Sequence, residues 1–118
     1  QFDTPHAILV DRRGRVVVGD RENDRVQVFD ANGKWLATWP GFAPFGLAED
    51  SDGTIYVADG RANQVLQVDP ATGEVVSRFG QEGSGPGQFQ LPHMLAVDGK
   101  KSLYVVEIKG KRLQKLVR

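Results

Sequence analysis

The stretch Pro44-Phe45-Gly46-Leu47-Ala48-Glu49-Asp50, followed by Gly53 and Thr54-Ile55-Tyr56-Val57-Ala58-Asp59, decides the fold because the chain writes it three times. Upstream, Pro5-His6-Ala7-Ile8-Leu9-Val10-Asp11 leads through Gly14 to Arg15-Val16-Val17-Val18-Gly19-Asp20. Downstream, Pro92-His93-Met94-Leu95-Ala96-Val97-Asp98 leads to Ser102-Leu103-Tyr104-Val105-Val106-Glu107. In every copy an Asp falls six residues after the proline, and a carboxylate (Asp20, Asp59, Glu107) falls fifteen after it. A third run follows in phase: Arg25 to Phe29, Gln64 to Val68 and Arg112 to Leu116. The first two copies add a fourth, Trp35 to Trp39 and Glu74 to Phe79.

Each unit reads as short strands joined by tight turns, with Asn32-Gly33 and Asp52-Gly53 supplying the positive φ that hairpins need. The first two strands of each unit are nearly continuous apolar runs, which predicts a sheet covered on both faces. The third strand alternates and is expected to be half buried. No window carries a helical stripe. Four-stranded sheets repeating at about 40 residues are the blades of a β-propeller. The reading is all-β, with blades at 5–39, 44–79 and 92–118, the third lacking its outer strand. Gly80 to Gly87, glycine-rich and followed by no helical pattern, reads as an inter-blade connection.

Three blades do not close a ring. The expectation is half of a six-bladed propeller, either a piece of a longer one or a unit that self-associates, two halves making the ring.

Fifteen Lys and Arg balance fifteen Asp and Glu, which argues against nucleic-acid binding through bulk positive charge. Seven cations and one acid between Lys100 and Arg118 read as a solvated face. No cysteine is present, so disulfides and thiolate sites are excluded. No apolar stretch is long enough to span a bilayer as a helix. A soluble chain, cytoplasmic or extracytoplasmic, with no membrane partner is expected.

His6 and His93 share one repeat position, directly after the proline that opens the inner strand, and Phe45 holds it in between. Inner strands line the central channel, so imidazoles on alternate blades would converge near its axis, where three of them and a water are a zinc arrangement. The alternative is that each ring caps a turn. Arg21, between Asp20 and Glu22, is either an ion-paired turn residue or a cation at the channel mouth for a carboxylate or oxyanion.

The repeat resembles the NHL family of propellers. Its proline-led inner strand, the Tyr56-Val57-Ala58-Asp59 strand and the Arg25-Val26-Gln27-Val28-Phe29 strand carry the likeness. The family implies a face offered to a peptide or protein. Gln1-Phe2-Asp3-Thr4-Pro5-His6, Asp20-Arg21-Glu22-Asn23 and Gly87-Gln88-Phe89-Gln90-Leu91-Pro92-His93 are similar to the peptidyl-α-hydroxyglycine α-amidating lyases, six-blade propellers that release a peptide amide and glyoxylate. That resemblance implies zinc on His6 and His93 and a catalytic role for Arg21. In those lyases another zinc histidine and a catalytic tyrosine lie in blades that precede the residues matched here. Tyr56 and Tyr104 sit inside second strands and do not replace that tyrosine. Met94 stands where the lyases have an acid, and Leu91 where they have a methionine.

Overall fold

The turns between the first and second strands are made by their own side chains. Asp11 accepts at Oδ1 from the backbone N–H groups of Arg13 and Arg15 at 3.0 and 2.9 Å. Asp50 does the same for Asp52 and Thr54 at 2.9 and 3.1 Å. Gly53 adopts φ +86°, the left-handed conformation such a turn demands. The second oxygen of each turn Asp reaches into the sheet. Tyr56 donates to Asp50 Oδ2 at 3.1 Å, and Tyr104 donates to Asp98 Oδ2 at 3.0 Å. Blade one has Val17 at the tyrosine position, and there Arg15 takes over, its Nε 2.8 Å from Asp11 Oδ2.

In the computed structural model, residues 5–81, 83, 85–86, 88–98, 102–109 and 111–116 are described, with residues 5 and 6 described by their backbone alone. Three antiparallel sheets result. The first holds β1 (Pro5–Val10), β2 (Val16–Asp20), β3 (Arg25–Phe29) and β4 (Trp35–Pro40) in that order. The second repeats the order with β5 (Pro44–Glu49), β6 (Ile55–Asp59), β7 (Gln64–Val68) and β8 (Val75–Phe79). The third has β9 (Pro92–Val97), β10 (Leu103–Glu107) and β11 (Arg112–Leu116), with no fourth strand among the described residues. A single 3₁₀ turn, Arg21–Asn23, joins β2 to β3. The opening strands of the three sheets lie side by side, β1 next to β5 and β5 next to β9.

Each sheet presents alternate side chains to its neighbours. Leu9, Val17, Val26, Val28, Ala37 and Trp39 of blade one meet Leu47, Ile55, Val57, Leu66, Val68 and Val75 of blade two. The other face of blade two gives Tyr56, Val65 and Phe79 to Leu95, Leu103 and Val105 of blade three. Each fully buried Val, Leu or Ile contributes about 1.5–3 kcal/mol, so these two seams supply most of the cohesion. The inner strands approach closely: a Cβ at Gly46 would run into the carbonyl oxygen of His93.

Two expectations need correction. The third strand is not half buried in blades one and two, since Val26, Val28, Val65, Leu66 and Val68 are fully covered. An alternating pattern understates burial where the polar members, such as Gln27, are themselves enclosed. Conversely, the first two strands are covered on both faces only in blade two. Ile8, Val10, Met94 and Val106 are exposed because the outer faces of blades one and three meet no neighbour among the described residues.

Candidate axial groove

The step after each opening proline sets the groove. Phe45 is buried behind Gly60, where any Cβ would meet its ring. His93 stands edge-on to Phe45, with centroids 5.7 Å apart and planes at 80°. Its Nδ1 is buried. From blade one, the Arg21 guanidinium lies 4.7 Å from the centre of the Phe45 ring, a cation–π contact. Arg21 and His93, picked out in the sequence for different reasons, therefore share one aromatic platform. Beside it runs a groove of about 270 Å³ between the inner strands, lined in part by Ala7, Ile8, Gly46 and Met94. The side chain of His6 falls outside the described residues.

Charge around Arg21 is largely compensated. Its Nε is 2.9 Å from Glu22 Oε1, and Arg61 Nη2 is 2.9 Å from the other oxygen of Glu22. Arg61 also pairs with Asp24. This chain of ions crosses from blade two to blade one and fixes Arg21 over Phe45. At the opposite end of the same seam, the backbone N–H of Arg12 donates to both oxygens of Glu49 at 3.0 Å, and its guanidinium donates to the Ser51 carbonyl.

Two buried carboxylates hold the strands that lead to the groove. Burial disfavours the charged form of Asp11, but hydrogen bonds from Arg15 and Arg13 together with the Arg15 charge hold its carboxyl below the ordinary value. Burial likewise opposes ionisation of Glu107. Donors from Arg112, Gln114 and the Gln90 backbone, with the Arg112 charge, outweigh it and keep that carboxyl low too.

Zinc needs three or four protein ligands. The described part of the groove supplies one imidazole among apolar neighbours, and no group of three or more His, Cys, Asp or Glu that could hold a metal occurs among the described residues. The described residues alone thus do not fit a zinc ion. Tyr56 and Tyr104 are committed to Asp50 and Asp98, away from the platform. Met94, at the position of an acid in the lyases, is 59% exposed. Phe45 is the site residue that sequence reasoning passed over. Its signal was its place in the Pro-X step between two histidines. Phe89, fully buried at the second seam although it lies in the connection, was passed over as well.

Comparison with known proteins agrees with this fold. The solved structure of virginiamycin B lyase from Staphylococcus aureus superposes with a TM-score of 0.77 over 96% of this chain and 38% of that one, at 16% identity. A protein of unknown function from Bacteroides caccae gives 0.72 over 84% of this chain and 36% of that one, at 22% identity. Three wedge-packed sheets with these neighbours define a β-propeller. The family model for the NHL repeat matches residues 2–29. Human NHL repeat-containing protein 3 is 36% identical over 99% of this chain, and rat peptidylglycine alpha-amidating monooxygenase is 32% identical over 81% of it. The chain carries NHL-repeat sequence and is similar over nearly its whole length to an NHL-repeat protein. It spans 36% of the human relative and 12% of the rat one. No helix among the described residues is long and apolar enough to cross a membrane.

Proposed function

We propose that the chain is a propeller scaffold that binds a peptide or protein ligand in its axial groove, and that closure of the ring turns the groove into a metal site. The observation that carries this reading is the shared platform: Arg21 and His93, from different blades, both packed on Phe45 beside an open apolar groove. Such a groove takes an apolar side chain, and the guanidinium and imidazole beside it suit a carboxylate or carbonyl oxygen. Closure comes from further blades of a longer chain or from a second copy, whose faces would cover Ile8, Val10, Met94 and Leu113. Two copies in a six-blade ring bring His6 and His93 of each to one axis, enough imidazoles for zinc.

The test is zinc content and light scattering on the purified chain, with His6→Ala and His93→Ala alongside. Stoichiometric zinc is expected in the assembled species. It should weaken as pH drops through about 6.5, where imidazole takes up a proton, and fall sharply in both variants. Zinc absent from the assembled species, or bound equally well by either variant, overturns the metal site.

A second reading is a zinc-dependent amidating lyase. It is supported by the two Pro-His steps on alternate blades, by Arg21 after the Val-Gly-Asp strand end and by similarity to peptidylglycine alpha-amidating monooxygenase. In that reading Arg21 would hold the substrate carboxylate, while a bound zinc would act as the Lewis acid. Release of glyoxylate from a peptidyl-α-hydroxyglycine by the assembled chain supports this reading, and its absence from a zinc-loaded assembly rejects it.

A further inference from the structure

The three blades answer one electrostatic problem in two ways. A carboxylate ends each second strand, and the residue that opens the third strand stands directly opposite: Asp20 faces Arg25, Asp59 faces Gln64, and Glu107 faces Arg112. In blade one, Arg25 Nε lies 2.8 Å from Asp20 Oδ2. In blade three, Arg112 Nε lies 2.7 Å from Glu107 Oε2, and its Nη2 donates to the Gln88 carbonyl in the connection just before that blade. The guanidinium thus fills a slot between the carboxylate and the preceding connection. Blade two lacks this arginine.

A pocket of about 450 Å³ lies beside Asp59, bounded also by Gly41 and Phe42 of the preceding connection and by Asp24, Arg61 and Ala62. Asp59 is 5% exposed. Its Oδ1 accepts from the backbone N–H groups of Arg61 and Ala62 at 3.2 and 3.1 Å, whereas Oδ2 has no protein donor among the described residues. The nearby cation does not fill the place, because Arg61 is drawn across the seam to Glu22 and Asp24. Those two acids offset its charge. What remains is a buried aspartate beside a cavity, at the repeat position where the carboxylates of blades one and three are each met by an arginine.

We propose that the pocket at Asp59 is a binding slot for an arginine side chain of a peptide or protein partner. An incoming guanidinium would donate to Asp59 Oδ2, as Arg25 and Arg112 do to their own carboxylates, and the Phe42 and Ala43 wall would cover its methylenes. Lysine fits less well, since a point charge cannot reach both the carboxylate and the connection. The slot shares no residue with the axial groove, so this inference goes beyond the function proposed above and does not depend on it.

Titration of the full chain with N-acetyl-L-arginine amide, followed by amide chemical shifts, tests the proposal, with the neutral citrulline amide as the control. Saturable binding with shifts at Asp59 to Ala62 and Gly41 is expected, and citrulline should bind at least about tenfold more weakly. Asp59→Asn should abolish binding. Gln64→Arg restores the arginine of the other blades; it should raise the melting temperature and weaken the arginine amide by about tenfold or more, while leaving any axial zinc binding unchanged. No saturable binding by the parent, equal binding of citrulline, or undiminished binding by Gln64→Arg overturns the proposal.

Discussion

Blades two and three follow one repeat pattern and are buried differently. β6 is buried at every position from Ile55 to Asp59, while the matching β10 leaves Val106 at 40% exposed. β7 hides Val65, Leu66 and Val68, whereas β11 hides none of its five residues completely. The difference lies outside either blade. Blade two has a sheet on each side, and blade three has one on a single side among the described residues. An apolar run in a strand therefore states a demand for two covering faces, and the neighbours decide whether that demand is met.

The sharpest way to break this comparison is to place a charge at matching positions of the two blades. Ala58→Asp puts an unpaired carboxylate into a fully covered site, at a cost of several kcal/mol against a total stability on the order of 5–15 kcal/mol. That variant should be insoluble or lose its cooperative melt. Val106→Asp, on the open face of blade three, should melt within about 1 kcal/mol of the parent. Equal damage from both substitutions would mean that the open face of blade three is covered in solution.

Acid should separate the blades by a smaller margin. Asp11 and Glu107 are held below their ordinary values when folded, so well above pH 4.5, the higher of those ordinary values, both states are ionised and the full stabilisation is present. As pH falls below that, the unfolded chain takes up protons first, and stability is lost through the lower folded values. Thermal melts between pH 6 and 3 should show this decline. Glu107→Gln should flatten the part that belongs to blade three, and an acid limb unchanged by that substitution would place the loss elsewhere.

Much of this architecture is legible without coordinates. The strands follow from the spacing of Pro5, Pro44 and Pro92, because each proline opens an inner strand and each Asp six residues later closes its turn. Burial was less legible. Whether Ile8 or Leu9 faces a neighbour depends on which side of the sheet another blade stands, and one strand's pattern does not carry that information. The site was legible in part. His93 and Arg21 stand out by position, but their meeting on Phe45 needs the stagger of three sheets, which arises from close approaches such as that at Gly46. The slot at Asp59 was legible in principle. Arg25, Gln64 and Arg112 occupy one repeat position, and the odd member marks the vacancy.

Amide hydrogen exchange, strand by strand and at concentrations low enough to keep the chain monomeric, tests most directly the claim that neighbouring blades confer burial. Amides of β6 and β7 should exchange slowest, near the rate of global unfolding, with those of β10 and β11 clearly faster because that sheet opens locally. Raising the concentration should slow β10 and β11 if a second copy covers the free face of blade three. Equal protection of blades two and three in the dilute monomer would contradict the account.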